Sequence, residues 1–108
     1  KLQMDVMRQV HKSLKKGGEV LFIENMMGTR FHHYFRNRYG AGKNYWCYPT
    51  LKKFGEFSKL FDKVSYRTFG YIGGSDLPLK KIRSKLDIYL EQITHPSCHY
   101  IYAGIYQK

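Results

Sequence analysis

The stretch Val10-His11-Lys12-Ser13-Leu14-Lys15-Lys16-Gly17-Gly18-Glu19-Val20-Leu21-Phe22-Ile23-Glu24 holds the transition on which the fold depends. Upstream of it, Leu2, Val6, Val10 and Leu14 recur every four residues, with Met7 three before Val10, which is the spacing of a helix that buries one stripe. Lys15 and Lys16 fall in the last turn, where cations complement the helix dipole, and Gly17-Gly18 stops the helix. The run Val20-Leu21-Phe22-Ile23 between two glutamates then reads as a strand buried on both faces of a parallel sheet. A two-residue link from helix to strand is ordinary in α/β units.

Beyond this stretch the periodicity fails from Asn25 to Pro49, where aromatic and basic residues dominate. Phe31, Tyr34, Phe35 and Arg38 are spaced to share one face of a short helix ended by Gly40-Ala41-Gly42. Thr50 is placed to cap a helix that carries Leu51, Phe54, Phe57, Leu60 and Phe61 inward. Lys63 to Phe69 alternates as a strand and ends at Gly70, Gly73 and Gly74. Ser75 or Asp76 would cap a longer helix with Leu79, Ile82, Leu86, Leu90 and Ile93 as its apolar stripe, and Pro96 forbids its continuation. The last strand, Cys98 to Tyr106, sets Tyr100, Tyr102 and Tyr106 on one face and Ile101, Ala103 and Ile105 on the other. Helices and strands in alternation make an α/β chain without internal repeats.

A length of 108 residues allows one domain at most, with a formal charge of +11 from 19 Lys+Arg against 8 Asp+Glu. The 43% hydrophobic and 17% aromatic content excludes a disordered basic tail. No apolar run approaches the ~18 residues of a membrane span, and no signal peptide opens the sequence, so the expectation is a cytoplasmic protein with no membrane span. Cys47 and Cys98 make neither a disulfide framework nor a zinc pattern. Because the amphipathic pattern is already running at Leu2, the chain is expected to be part of a longer protein.

The Leu14-Lys15-Lys16-Gly17-Gly18 turn and its strand resemble a familiar piece of class I S-adenosylmethionine-dependent methyltransferases, with Lys16 where that family often has proline. Tyr48-Pro49-Thr50 opening a helix, Phe61-Asp62-Lys63-Val64 entering a strand, and the terminal Ala103-Gly104-Ile105-Tyr106-Gln107-Lys108 follow in the family's order. The resemblance spans nearly the whole chain as the C-terminal half of the family's domain. It implies three strands of a Rossmann-like sheet, two parallel and the last one antiparallel between them. It also implies an enzyme whose S-adenosylmethionine is bound by the other half. The family's glycine-rich loop and ribose-binding acid have no counterpart here, so these residues alone should bind no cofactor and carry no activity. Gly70-Tyr71-Ile72-Gly73-Gly74 lacks the spacing of a phosphate-binding loop and reads as a turn.

Glu24 and Asn25 end the first strand, where open α/β sheets place their ligands; the bland alternative is that Glu24 only pairs with a nearby base. Between Glu24 and Glu56 there is no acid, while Arg30, Arg36, Arg38, Lys43, Lys52 and Lys53 all fall inside. Rings interleaved with these bases suit an anionic or aromatic partner, and the methyltransferase resemblance implies that residues 25–49 are a substrate-recognition insert for a small molecule. Its expected contacts are Glu24, Asn25, Arg30, His33, Tyr34, Arg36, Arg38, Tyr45 and Trp46. The competing reading anchors the rings in the core and leaves the bases to water. His32-His33 has no i, i+4 partner for a metal, and His95, Cys98, His99 and Cys47 match no zinc spacing, so no metal is expected. No residue is assigned as catalytic. A second class of function, a basic α/β module that binds nucleic acid without catalysis, draws on the charge and on Tyr100 and Tyr102. A third is self-association through an open sheet edge.

Overall fold

A computed structural model gives the structure, which describes residues 2–39, 47–72 and 78–108. The elements in chain order are α1 (Leu2–Ser13), β1 (Glu19–Asn25), α2 (Arg30–Tyr39), α3 (Leu51–Ser58), β2 (Lys63–Phe69), α4 (Lys80–Ile93) and β3 (Ile101–Gln107), with a 3-10 turn at Pro96–Cys98. α1 ends before Gly17, which takes φ +77°, a left-handed conformation that a side chain would oppose. The carbonyls left open at its end are bonded from the far end of the chain: Lys108 Nζ donates to His11 O at 2.9 Å and Leu14 O at 3.0 Å. α3 is capped by Thr50, whose Oγ1 accepts the Lys53 amide at 3.3 Å.

The three strands are ordered β1-β3-β2. Glu19 to Asn25 pairs antiparallel with Gln107 to Ile101, and Lys63 to Phe69 pairs antiparallel with the same residues of β3. This corrects the expectation of two parallel strands in a Rossmann-like sheet, because every strand pairing is antiparallel. The cause is the position of β3, which takes both neighbouring ladders and keeps β1 and β2 from pairing with each other. Asn25 and Phe69 both pair with Ile101, so the carboxyl ends of β1 and β2 lie at one edge of the molecule.

The core occupies one face of this sheet. Tyr102 and Tyr106 are buried at its centre, with Phe54 stacked on Tyr102 at 3.8 Å between ring centroids and Phe61 set edge-on to Tyr106 at 5.1 Å. Met7, Met26 and Phe57 complete the buried set, and Val20, Phe22 and Val64 pack against it. β1 is therefore not buried on both faces: Leu21 and Ile23 are 62% and 66% exposed. The strand follows the alternation of a sheet covered on one side, although its sequence is apolar on both.

α4 departs from its sequence pattern more sharply. Leu79, Ile82, Leu86 and Ile93, read as an inward stripe, are all exposed, and Leu90 is half-buried. Asp87, Glu91 and Thr94 occupy the inner side, because backbone amides after β2 and the buried His99 need acceptors there. The expected caps Ser75 and Asp76 lie outside the described residues, and the helix starts after Leu79 at φ 62° with no side-chain cap.

Candidate functional site

The carboxyl ends of β1 and β2 carry a polar cluster. After β1 the ladder continues for one bond, Met26 N to Tyr100 O at 2.7 Å, and the chain then turns at Gly28, φ +67°. Thr29 starts α2 by accepting the His32 amide on Oγ1 at 3.0 Å. The inner side of α2 presents His32 and Arg36, one turn apart. His32 stacks on Tyr100 at 4.5 Å between centroids and lies 3.1 Å through Nδ1 from the Ile72 carbonyl, which accepts. With the ring proton on Nδ1, Nε2 accepts from Arg36 Nη2 at 2.9 Å. Arg36 Nη1 donates to Met26 O at 2.9 Å, and its guanidinium lies 3.9 Å over the Tyr48 ring.

The turn that receives His32 is held from its other side by α4. Asp87 Oδ1 accepts the amides of Tyr71 at 2.6 Å and Ile72 at 2.8 Å, and Glu91 Oε1 accepts that of Gly70 at 2.5 Å. Two helices thus bind one turn, α2 through its carbonyl and α4 through its amides. Burial first, then the Arg36 charge, holds the His32 ring below its ordinary pKa, so it stays neutral at pH 7. Burial first, then Asp87 and Glu91, pushes the Tyr100 hydroxyl up.

No known family's sequence profile matches the chain, and no curated protein or solved structure is significantly similar to it. The site is read from its own geometry.

The expected contact residues lie in different surroundings. Glu24, Asn25, Arg30, Tyr34 and Arg38 are exposed around this end of the sheet, and Glu24 forms no ion pair with a described residue. Arg36 turns inward, where it bonds Met26 O and His32. His33 is half-buried, accepting from Asn37 Nδ2 at 3.1 Å through Nε2, while its Nδ1 is enclosed without a hydrogen-bond partner among the described residues. Tyr45 and Trp46 lie outside the described residues. Phe31, Tyr34 and Phe35 form an outer aromatic ladder, with Phe31 and Phe35 at 4.6 Å and Tyr34 and Phe35 at 5.6 Å.

Sequence reasoning passed over His32, Tyr48, Asp87, Glu91 and Tyr100 as members of one cluster. The i, i+4 pairs His32/Arg36 and His33/Asn37 were a usable signal; the distant carboxylates of α4 left none. Tyr102 belongs to the core, not to an open stacking face, and Tyr100 is covered by His32. Among the described residues no three His, Cys, Asp or Glu side chains gather as metal ligands, and no helix is long and apolar enough to cross a membrane.

Proposed function

We propose that these residues form the acceptor-side part of an S-adenosylmethionine-dependent methyltransferase, with cofactor binding supplied by residues outside this chain. The observation that carries the reading is the position of the last strand. β3 returns between β1 and β2, antiparallel to both, which is where the resemblance puts the family's terminal strand. Two bare surfaces support it. The outer edge of β1 is unpaired among the described residues, and α1 leaves Leu2 and Val6 exposed along an open apolar groove that also takes in Val10 and Leu14. An edge of this kind suits further sheet.

The residues present do not fit the cofactor. The amides of Gly70, Tyr71 and Ile72, the post-strand turn nearest to a cradle, are already bonded to carboxylates. No step of methyl transfer is therefore assigned to them. What the chain offers is orientation: transfer of a methyl group from a sulfonium depends on alignment and exclusion of water more than on a strong acid or base. Glu24 and Asn25 at the strand end, with Arg30, Tyr34 and Arg38 on α2, would position an anionic or aromatic acceptor.

Calorimetry with S-adenosylmethionine tests the division of labour. The natural polypeptide containing these residues should bind it stoichiometrically, and residues 1–108 alone should not bind it. Absence of binding by the natural polypeptide would overturn the proposal. Steeply salt-dependent binding of an oligonucleotide in its place would favour the nucleic-acid module.

A further inference from the structure

We infer that α4 is a docking surface for an anionic lipid bilayer, lying flat on the membrane through Leu79, Ile82, Leu86, Tyr89 and Ile93. The inference stands apart from methyl transfer and uses none of its residues.

A helix of a folded domain normally turns its apolar stripe to the core. α4 does the reverse. Its inner side is tied down by Asp87 and Glu91 on the amides of residues 70–72 and by Thr94, whose Oγ1 lies 3.0 Å from Nε2 of the buried His99. Its outer stripe recurs at three- and four-residue spacing, and Ile82, Tyr89 and Ile93 are 65%, 58% and 60% exposed. Helix stability does not explain the charges either. Lys80, Lys81 and Lys85 crowd the amino-terminal half, the first turn has no acid, and Leu79 at the N-cap makes no side-chain cap bond. Cations there oppose the helix dipole, a cost that an anionic surface offsets.

Charge complementarity selects the occupant. The chain carries +11, and the exposed Lys80, Lys81 and Lys85 lie on the helix that bears the stripe. A second copy would bring like-charged helices together. Nucleic acid would satisfy the lysines but leave Leu79, Ile82, Leu86 and Ile93 in water, since aliphatic side chains offer neither hydrogen bonds nor a ring to stack on. Further sheet of a larger protein would join at β1, whereas α4 is bonded to the turn after β2, the opposite edge strand. An interface of acyl chains below phosphates meets both needs, with apolar side chains entering and lysine stems reaching up to the headgroups.

The test is co-sedimentation of the chain with vesicles of phosphatidylcholine alone and of an equal mixture of phosphatidylcholine and phosphatidylglycerol. It should pellet with the mixed vesicles, stay in solution with the neutral ones, and be released by salt. Replacing Lys80, Lys81 and Lys85 by Gln should weaken binding about fivefold per lysine. Ile82→Ser with Leu86→Ser should abolish it; both side chains are exposed, and an unchanged circular dichroism spectrum verifies the fold. Equal binding to both vesicles, or full binding by the serine variant, would overturn the inference. So would self-association in sedimentation that the serine variant removes while no vesicle is bound.

Discussion

The hydroxyl oxygens of Tyr102 and Tyr106 lie 2.5 Å apart, one donating to the other, with Gly104 between them on the same strand face. A Cβ on Gly104 would come within 2.7 Å of the Tyr102 ring, 2.8 Å of the Tyr106 ring and 3.0 Å of the Tyr102 hydroxyl. The glycine is therefore what permits both rings to lean together under Phe54 and Phe61. Gly104→Ala should destabilise the fold by about 1–3 kcal/mol through overpacking. Tyr102→Phe keeps the ring stack, removes one hydrogen bond, and should cost about 1 kcal/mol. Urea denaturation of the two variants measures the difference, and equal midpoints would mean that the close approach at Gly104 is relieved elsewhere.

Gly70 faces a harder constraint. It sits at φ +75°, and a Cβ there would overlap the Tyr100 ring at its Cε1, Cζ and Cδ1 atoms. Its amide is bonded to Glu91 and its carbonyl accepts the Tyr100 amide at 3.0 Å, so the backbone cannot move away without losing both. Gly70→Ala should cost at least about 2 kcal/mol, the sum of left-handed strain and overpacking. The loss should appear as a lower thermal midpoint accompanied by release of the His32–Tyr100 stack, visible as a shift of the His32 ring protons.

The alternation of helices and strands was legible in the sequence because Leu2, Val6, Val10 and Leu14, the Gly17-Gly18 stop, and the Thr50 cap each act locally. Strand pairing was not local. Val20 to Ile23 reads as a strand wet on neither side, yet Leu21 and Ile23 are exposed, since composition cannot reveal which face the helices cover. α4 shows the same limit: its stripe predicts an inward face, but unsatisfied amides at residues 70–72, invisible to periodicity, rotate Asp87 and Glu91 inward. At the candidate site, the place of Glu24 and Asn25 at the end of β1 was legible. The inward turn of Arg36 was not legible, because its partners, Met26 O and Tyr48, come from segments ten residues before it and twelve after it.

His32 makes stability depend on acid. Its pKa in the folded state lies below the ordinary 6.5, so the unfolded chain binds more protons as pH falls through that value. The contribution of the neutral ring is complete above pH 6.5 and is lost progressively below it. Protonation of Nε2 would also turn the acceptor of Arg36 into a second cation beside it. Urea midpoints measured from neutral to mildly acidic pH should fall for the wild type. His32→Gln should fall less steeply, and parallel profiles would rule out His32 as the source.

Asp87 is the acceptor that joins α4 to the turn carrying the His32 contact. Removing it in Asp87→Ala leaves the half-buried amides of Tyr71 and Ile72 without their carboxylate, at a cost of about 1–3 kcal/mol. Two further consequences separate this role from general destabilisation. The Asp87 charge supports the protonated form of His32, so its loss should move the His32 titration to lower pH, not higher. Amide exchange should accelerate at Tyr71 and Ile72 while the β1 and β3 amides, held by their own ladder, keep their protection. Asp87→Asn, which retains an acceptor oxygen without the charge, should restore much of the amide protection but not the His32 titration. An Asn variant that restored both would show that the Asp87 charge does not reach the ring.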